Sequence, residues 1–295
     1  MNISRFNWPL VILAYFSLFC IGIADNARGA IYPSILNILG LSYDNGAILF
    51  SISSLTGLVS TLSARFWLPK YGIILPQRFF SLLLIFATLI FALSISLFPS
   101  FLLALAGCSL IGITMGGLSI TMNLSINKAV PQEYRRKFLS GLHSLYGLSS
   151  GFAPIILVIL ASLNKSYQWL YFVISFFPVL LLTLSFWTRD NTKTKIISTQ
   201  SPPQPKIQKF SASNVILGTV LSFYVCSEVL LSSRFILIIN SLTDIEDNAA
   251  QSYLTIFFIF LTIGRLIFAF IKTKKSNYMI LLTSIILSIV LFNIA

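Results

Sequence analysis

Apolar residues run through this chain in stretches of roughly 20 or more, the length a helix needs to cross the hydrocarbon core of a bilayer. The pattern predicts about nine spans, at roughly 8–38, 44–68, 73–97, 100–127, 136–163, 167–187, 211–240, 248–271 and 277–295. An all-α membrane protein follows, because inside lipid each backbone N–H and C=O has to be paired within its own helix. One stretch breaks the pattern: 188–210 is polar and basic, and Ser201-Pro202-Pro203-Gln204-Pro205 favours an extended, solvated linker. It divides the chain into an N-terminal six-helix transmembrane bundle at 1–187, a basic cytoplasmic linker at 188–210 and a partial C-terminal transmembrane bundle at 211–295. Six spans, a basic linker and further spans is the organisation of a transporter built from two repeated halves.

Composition excludes the soluble alternatives. Of 295 residues, 56% are hydrophobic and only 9% are charged, where a soluble protein needs about 25% charged residues to coat its surface. The net charge of +12 would point to nucleic acid in a soluble domain. Position gives it another meaning, and no nucleic-acid partner is expected. All bases except Arg28, Lys165 and Arg234 lie near span ends, in alternate connections: Arg65, Lys70 and Arg78, then Lys128 to Lys137, then Arg189 to Lys209, then Arg265 to Lys275. The positive-inside rule therefore puts the N-terminus, with Arg5, in the cytoplasm, and puts Asp44, Asp244, Glu246 and Asp247 outside. The first apolar run continues past Asp25 and Arg28 with no small-residue cleavage pattern, so it reads as a retained helix. Cys20, Cys108 and Cys226 each sit in an apolar run and read as small buried hydrophobes, without a disulfide or metal. No phosphate loop, nucleophilic triad or metal cluster is visible, so neither an enzyme nor a cofactor is expected.

An ionisable group at membrane depth is expensive and is a functional candidate by default. Asp25 lies mid-span with Arg28 at i+3 on the same face, which leaves two readings: a proton-binding carboxyl or a static pair that orders the helix. Glu228 has no base at i±3 or i±4. It reads as the stronger proton site unless another helix supplies a cation, with a structural carboxyl joining helices as the alternative. Arg234, roughly 9 Å nearer the outside at 1.5 Å per residue, is expected to snorkel toward headgroups. His143, the only histidine, suits proton transfer or a packing role. Asn123 and Asn127, one turn apart, can bond solute hydroxyls or link helices. Tyr32, Tyr146, Tyr224 and Trp169 could stack on a sugar face. Gly112 with Gly116, and Gly147 with Gly151, have the spacing that lets helices approach closely, while Pro33, Pro154 and Pro178 can kink theirs. Asp25 lies 17 residues after Trp8, and Glu228 lies 17 after Ser211, so the leading helix of each half carries an acid at similar depth.

Several segments together resemble the major facilitator superfamily, in particular its fucose and glucose/galactose proton-symporter branch. They are Gly22-Ile-Ala-Asp25-Asn26-Ala-Arg28-Gly29 with Tyr32-Pro33, Leu142-His143-Ser-Leu-Tyr146-Gly147, Gly151-Phe-Ala-Pro154, Tyr224-Val-Cys-Ser-Glu228-Val229 and Gly264-Arg265. The resemblance implies a two-bundle fold with a central substrate cavity and alternating access. Three departures stand out. Three of the family's twelve helices have no counterpart here, so the second bundle is incomplete and a fragment is one reading. Arg65-Phe-Trp-Leu-Pro69-Lys70-Tyr-Gly72 lacks the acid of the family's loop signature, and span five lacks the Gly-Pro pair of drug antiporters.

The expected function is secondary active transport of a small polar solute, a sugar, by proton-coupled alternating access. An organic-anion or other carrier, motivated by Arg28, and a truncated non-transporting membrane protein are the alternatives. Asn26, Arg28, Asn123, His143, Tyr146 and Tyr224 are the expected substrate-binding residues, and Asp25 and Glu228 the expected proton-coupling residues. The partners are the solute, protons and the lipid bilayer, and the expected location is the bacterial inner (plasma) membrane.

Overall fold

The computed structural model describes residues 6–188, 212–242 and 247–270, with isolated positions at 279, 282, 283 and 286. The expected linker beyond Thr188, the acids Asp244 and Glu246, and most of the expected ninth span lie outside the described residues. Among the described residues the chain is helical: α1 Trp8–Ala30, α2 Tyr32–Leu39, α3 Tyr43–Tyr71, α4 Ile74–Ile95, α5 Phe101–Ala129, α6 Gln132–Ser162, α7 Leu170–Trp187, α8 Ala212–Leu242 and α9 Asp247–Phe270. Eight of these segments are long and apolar enough to cross a membrane, which matches the first eight predicted spans.

The first expected span is divided. Its helix ends at Ala30, Ile31 takes a non-helical conformation, and Pro33 lies in the first turn of α2. Proline is favoured in a first turn because its missing N–H is one that the helix end leaves unpaired. Polar residues start other helices in the expected way. Asn7 caps α1 by accepting from the Leu10 N–H at 3.4 Å, Ser42 caps α3 from Asn45 at 3.3 Å, and Ser100 caps α5 from Leu103 at 3.4 Å.

The centre of the N-terminal bundle is α1, which packs on α5, α6 and α7 and, across to the second half, on α8. A helix surrounded in this way buries small and apolar residues on most of its faces, and the polar ones it carries need partners on its neighbours. Ala14, Ala24 and Ala27, with Cys20 and Ile23, are accordingly buried on it. Polar groups buried here are bonded to one another. Gln77 on α4 donates to the Ser17 hydroxyl of α1 at 2.6 Å and accepts from Thr121 of α5, which ties three helices together. Tyr171 on α7 donates to the Ala24 carbonyl at 2.9 Å.

Small residues set the closest approach. A Cβ at Gly112 would overlap the Ser53 carbonyl of α3, and one at Gly116 would overlap the Gly57 carbonyl, so α3 and α5 meet backbone to backbone. Between the halves, α6 lies along α9 and α1 along α8. These two seams bring the sequence-predicted residues together.

Candidate functional site

A cavity of about 300 Å3 lies between the halves, with α1, α3, α5 and α6 on one side and α8 on the other. Asp25, Asn26 and Arg28 line it from α1 and Tyr146 lines it from α6. These four were expected at a site, and the structure gathers them. Arg28 is only 2% exposed and is paired with the Asp25 carboxylate, so the local pair read from the i+3 spacing forms. Its other donors are also used: Nη1 donates to the Leu49 carbonyl at 3.2 Å and Nε to the Asp25 carbonyl at 3.3 Å. The guanidinium lies 5.1 Å from the centre of the Phe50 ring. A buried cation needs this degree of compensation, since an unpaired charge in a medium of low dielectric is strongly unfavourable.

Asn26 is held just as firmly. Its amide nitrogen donates to the Gly22 carbonyl at 3.1 Å, the Tyr146 hydroxyl at 3.0 Å and the Ser150 hydroxyl at 2.8 Å. Tyr146 in turn donates to the second Asp25 oxygen at 3.1 Å. Serines complete the wall: Ser53 and Ser54 from α3, Ser119 from α5, and Ser232 and Ser233 from α8. None of these serines stands out from the chain's many serines by local pattern, and only their convergence marks them.

Glu228 does not stand alone. The counter-charge absent from its own helix comes from α9, where Arg265 reaches both carboxylate oxygens, at 2.9 and 2.7 Å. Sequence spacing left open whether another helix supplies a cation, and one does: Glu228 is 10% and Arg265 23% exposed, and they form an ion pair. Arg265 also donates to the His143 carbonyl at 3.1 Å and the Tyr224 hydroxyl at 3.3 Å. Sequence reasoning placed Arg265 in a polar connection because it lies near the end of its apolar run. The structure places it inside α9, and its distance from any acid on that helix was the signal that its partner would be on another.

The remaining expected residues go elsewhere. His143 and Tyr224 line a second space of about 630 Å3 with Arg265, on the other side of the ion pair. Asn123 lines a third, of about 440 Å3, with Arg65, and bonds its own helix at the Ser119 carbonyl at 2.8 Å. Ser119 borders both this space and the central cavity. Arg234 lies 4.9 Å from the centre of the Tyr32 ring. Tyr32 is fully buried, and Trp169 is exposed on the outer surface, so neither reaches the cavity.

Beyond the cavity, toward the Ala30 end of α1, the halves touch directly. A Cβ on Gly29 would come within 2.8 Å of the Ser232 carbonyl. The Gln251 amide of α9 donates to the Ala30 carbonyl, at the break between α1 and α2. Backbone contact therefore brings the two halves together at that end of the cavity.

The sequence profile of the Major Facilitator Superfamily matches residues 14–295. Among solved structures, a D-xylose-proton symporter has the same fold, with a TM-score of 0.66 over 88% of this chain and 67% of that one, at 11% identity. No curated protein sequence matches significantly. With nearly its whole length matched, and with two helical halves flanking a cavity that holds an ion pair, this chain belongs to the major facilitator superfamily.

Proposed function

We propose that the protein is a proton-coupled symporter of a neutral, polyhydroxylated small molecule of the sugar or polyol class, carried through the central cavity by alternating access. The observation that carries this reading is the state of the cations. Arg28, the one base among the described residues lining the cavity, has its charge met by Asp25 and each of its three nitrogens bonded within the protein. An anionic solute would have to displace Asp25 and leave that carboxylate buried and uncompensated, at a cost of several kcal/mol. A neutral solute meets serine hydroxyls and the Asn26 amide oxygen instead, groups that can bond sugar hydroxyls without bringing a charge into the cavity. The fold shared with a D-xylose-proton symporter supports the class by analogy alone.

Asn26, Arg28 and Tyr146 form the substrate face of the N-terminal half in this reading, with Asp25 as one proton-coupling carboxyl and Glu228 as the other, which has to part from Arg265 when it takes a proton. His143, Tyr224 and Asn123 act on the approaches to the cavity. The N-terminus faces the cytoplasm, and the membrane is a bacterial inner membrane across which a proton gradient is held. Solute counterflow tests the substrate class. Proteoliposomes loaded with unlabelled neutral sugars or polyols should accelerate entry of the labelled compound, and those loaded with carboxylates or sugar phosphates should not. Exchange confined to the anions would contradict the assignment and return Arg28 to the role of anion receptor.

A further inference from the structure

Two ion pairs approach the cavity from different halves, Asp25 with Arg28 from α1, and Glu228 with Arg265 from α8 and α9. One side chain touches both sets. The Tyr146 hydroxyl donates to Asp25 Oδ2 and accepts from Asn26, while the face of its ring lies 5.8 Å from the Arg265 guanidinium. We propose that Tyr146 is the positioning residue through which the charge state of Asp25 controls the grip of the first half on the second. The proposal rests on the proton-coupled reading above and assigns the coupling to one hydroxyl.

The chemistry needs no proton to pass through tyrosine. With Asp25 ionised, the Tyr146 hydroxyl has a charged acceptor and the ring is fixed under Arg265, where a cation within about 6 Å of an aromatic face is held electrostatically. When Asp25 takes a proton from solution, its carboxyl becomes neutral and carries an O–H, and the charge-assisted bond is lost. Arg28 loses its counter-charge in the same step and keeps the Leu49 and Asp25 backbone carbonyls and the Phe50 ring. Tyr146 is then held by the Asn26 amide alone, and the hold on Arg265 weakens.

The charged and titratable groups around this point are accounted for on every packed element. Glu228 and Tyr224 face it from α8, and Arg265 from α9. Cys108 of α5 and Tyr171 of α7 lie behind Arg28, and α3 brings the uncharged Phe50. His143, one turn away on α6, faces Arg265. Glu228 stays on Arg265 in both states of Asp25, so the change falls on the tyrosine.

Pulsed electron–electron distance measurement reads this without transport. Spin labels at Asn37→Cys and Ser241→Cys, which face each other from α2 and α8 across one space, report separation of the halves in the full chain. The distance distribution should change on acidification with Tyr146 present and be insensitive to pH in Tyr146→Phe, which keeps the ring and loses only the hydroxyl. Asp25→Asn, with Tyr146 intact, should hold the acid distribution at all pH. A pH-dependent shift that survives in Tyr146→Phe overturns the proposal, as does a wild-type distance that ignores pH. Should Tyr146→Phe fail to fold, the Asp25→Asn distribution decides alone. Loss of gradient-driven uptake in a protein that still shows the distance response would reject the symporter reading and leave the tyrosine link standing.

Discussion

Arg28 has 2% of its surface exposed, so its neighbours have to supply all that water would. Arg28→Met leaves the Asp25 carboxylate buried without its counter-charge, and breaking a buried pair from one side costs about 3–5 kcal/mol. The double variant Arg28→Met with Asp25→Asn removes both charges and should recover most of that loss. Thermal unfolding in detergent checks it: a double variant no more stable than the single would show that the pair does not carry the local stability. The pair was legible in the sequence because three residues on one helix fix its geometry. The Glu228–Arg265 pair was not, since 37 residues and a change of helix separate its partners, and spacing is silent about contacts between helices. The cross-helix tie among Gln77, Ser17 and Thr121 was hidden for the same reason. Gln77→Leu should destabilise by about 0.5–1.5 kcal/mol, since it removes the bonds between helices while Ser17 and Thr121 keep the Leu13 and Leu118 carbonyls of their own helices, and the same unfolding measurement reads the loss.

The helices were legible in hydropathy, because span length is set by bilayer thickness and not by tertiary context. The break at Ile31 was less so: the apolar run continues across it, and only Pro33 marks the place. That break matters for the seam between α1 and α8. Gly29 touches the backbone of Ser232 and Ser233, and an added Cβ would lie 2.8 Å from a carbonyl and 2.9 Å from a Cα, neither of which can rotate away. Gly29→Ala is therefore expected to prop the two helices apart at the Ala30 end and to favour conformations open there. Modification of Ser233→Cys by a small aqueous thiol reagent added from that side should accelerate by about tenfold in Gly29→Ala, the factor that about 1.4 kcal/mol of bias in the opening equilibrium gives. An unchanged rate would show that this contact does not govern closure.

For the whole molecule, the charged residues divide between the two ends of the bundle. Arg65, Lys70, Lys128 and Arg135 lie toward the Trp8 end of α1, with Asp44 and Lys165 toward the other. The positive-inside rule then predicts that a cysteine at Gln132, where α6 begins, reacts with an impermeant reagent only after the membrane is opened, while one at Asn164, in the turn after α6, reacts in intact cells. The reverse pattern would invert the protein in the membrane. Whether solute and proton cross together is read from the proton itself. Proteoliposomes are given the neutral solute identified by counterflow, with no imposed gradient, and the external medium is followed with a pH indicator. Solute entry through the wild-type protein should alkalinise the medium. Glu228→Gln should exchange solute without moving protons, because the amide resembles the protonated acid but cannot release one. Solute entry through the wild-type protein without alkalinisation, or undiminished proton movement in Glu228→Gln, would contradict the account.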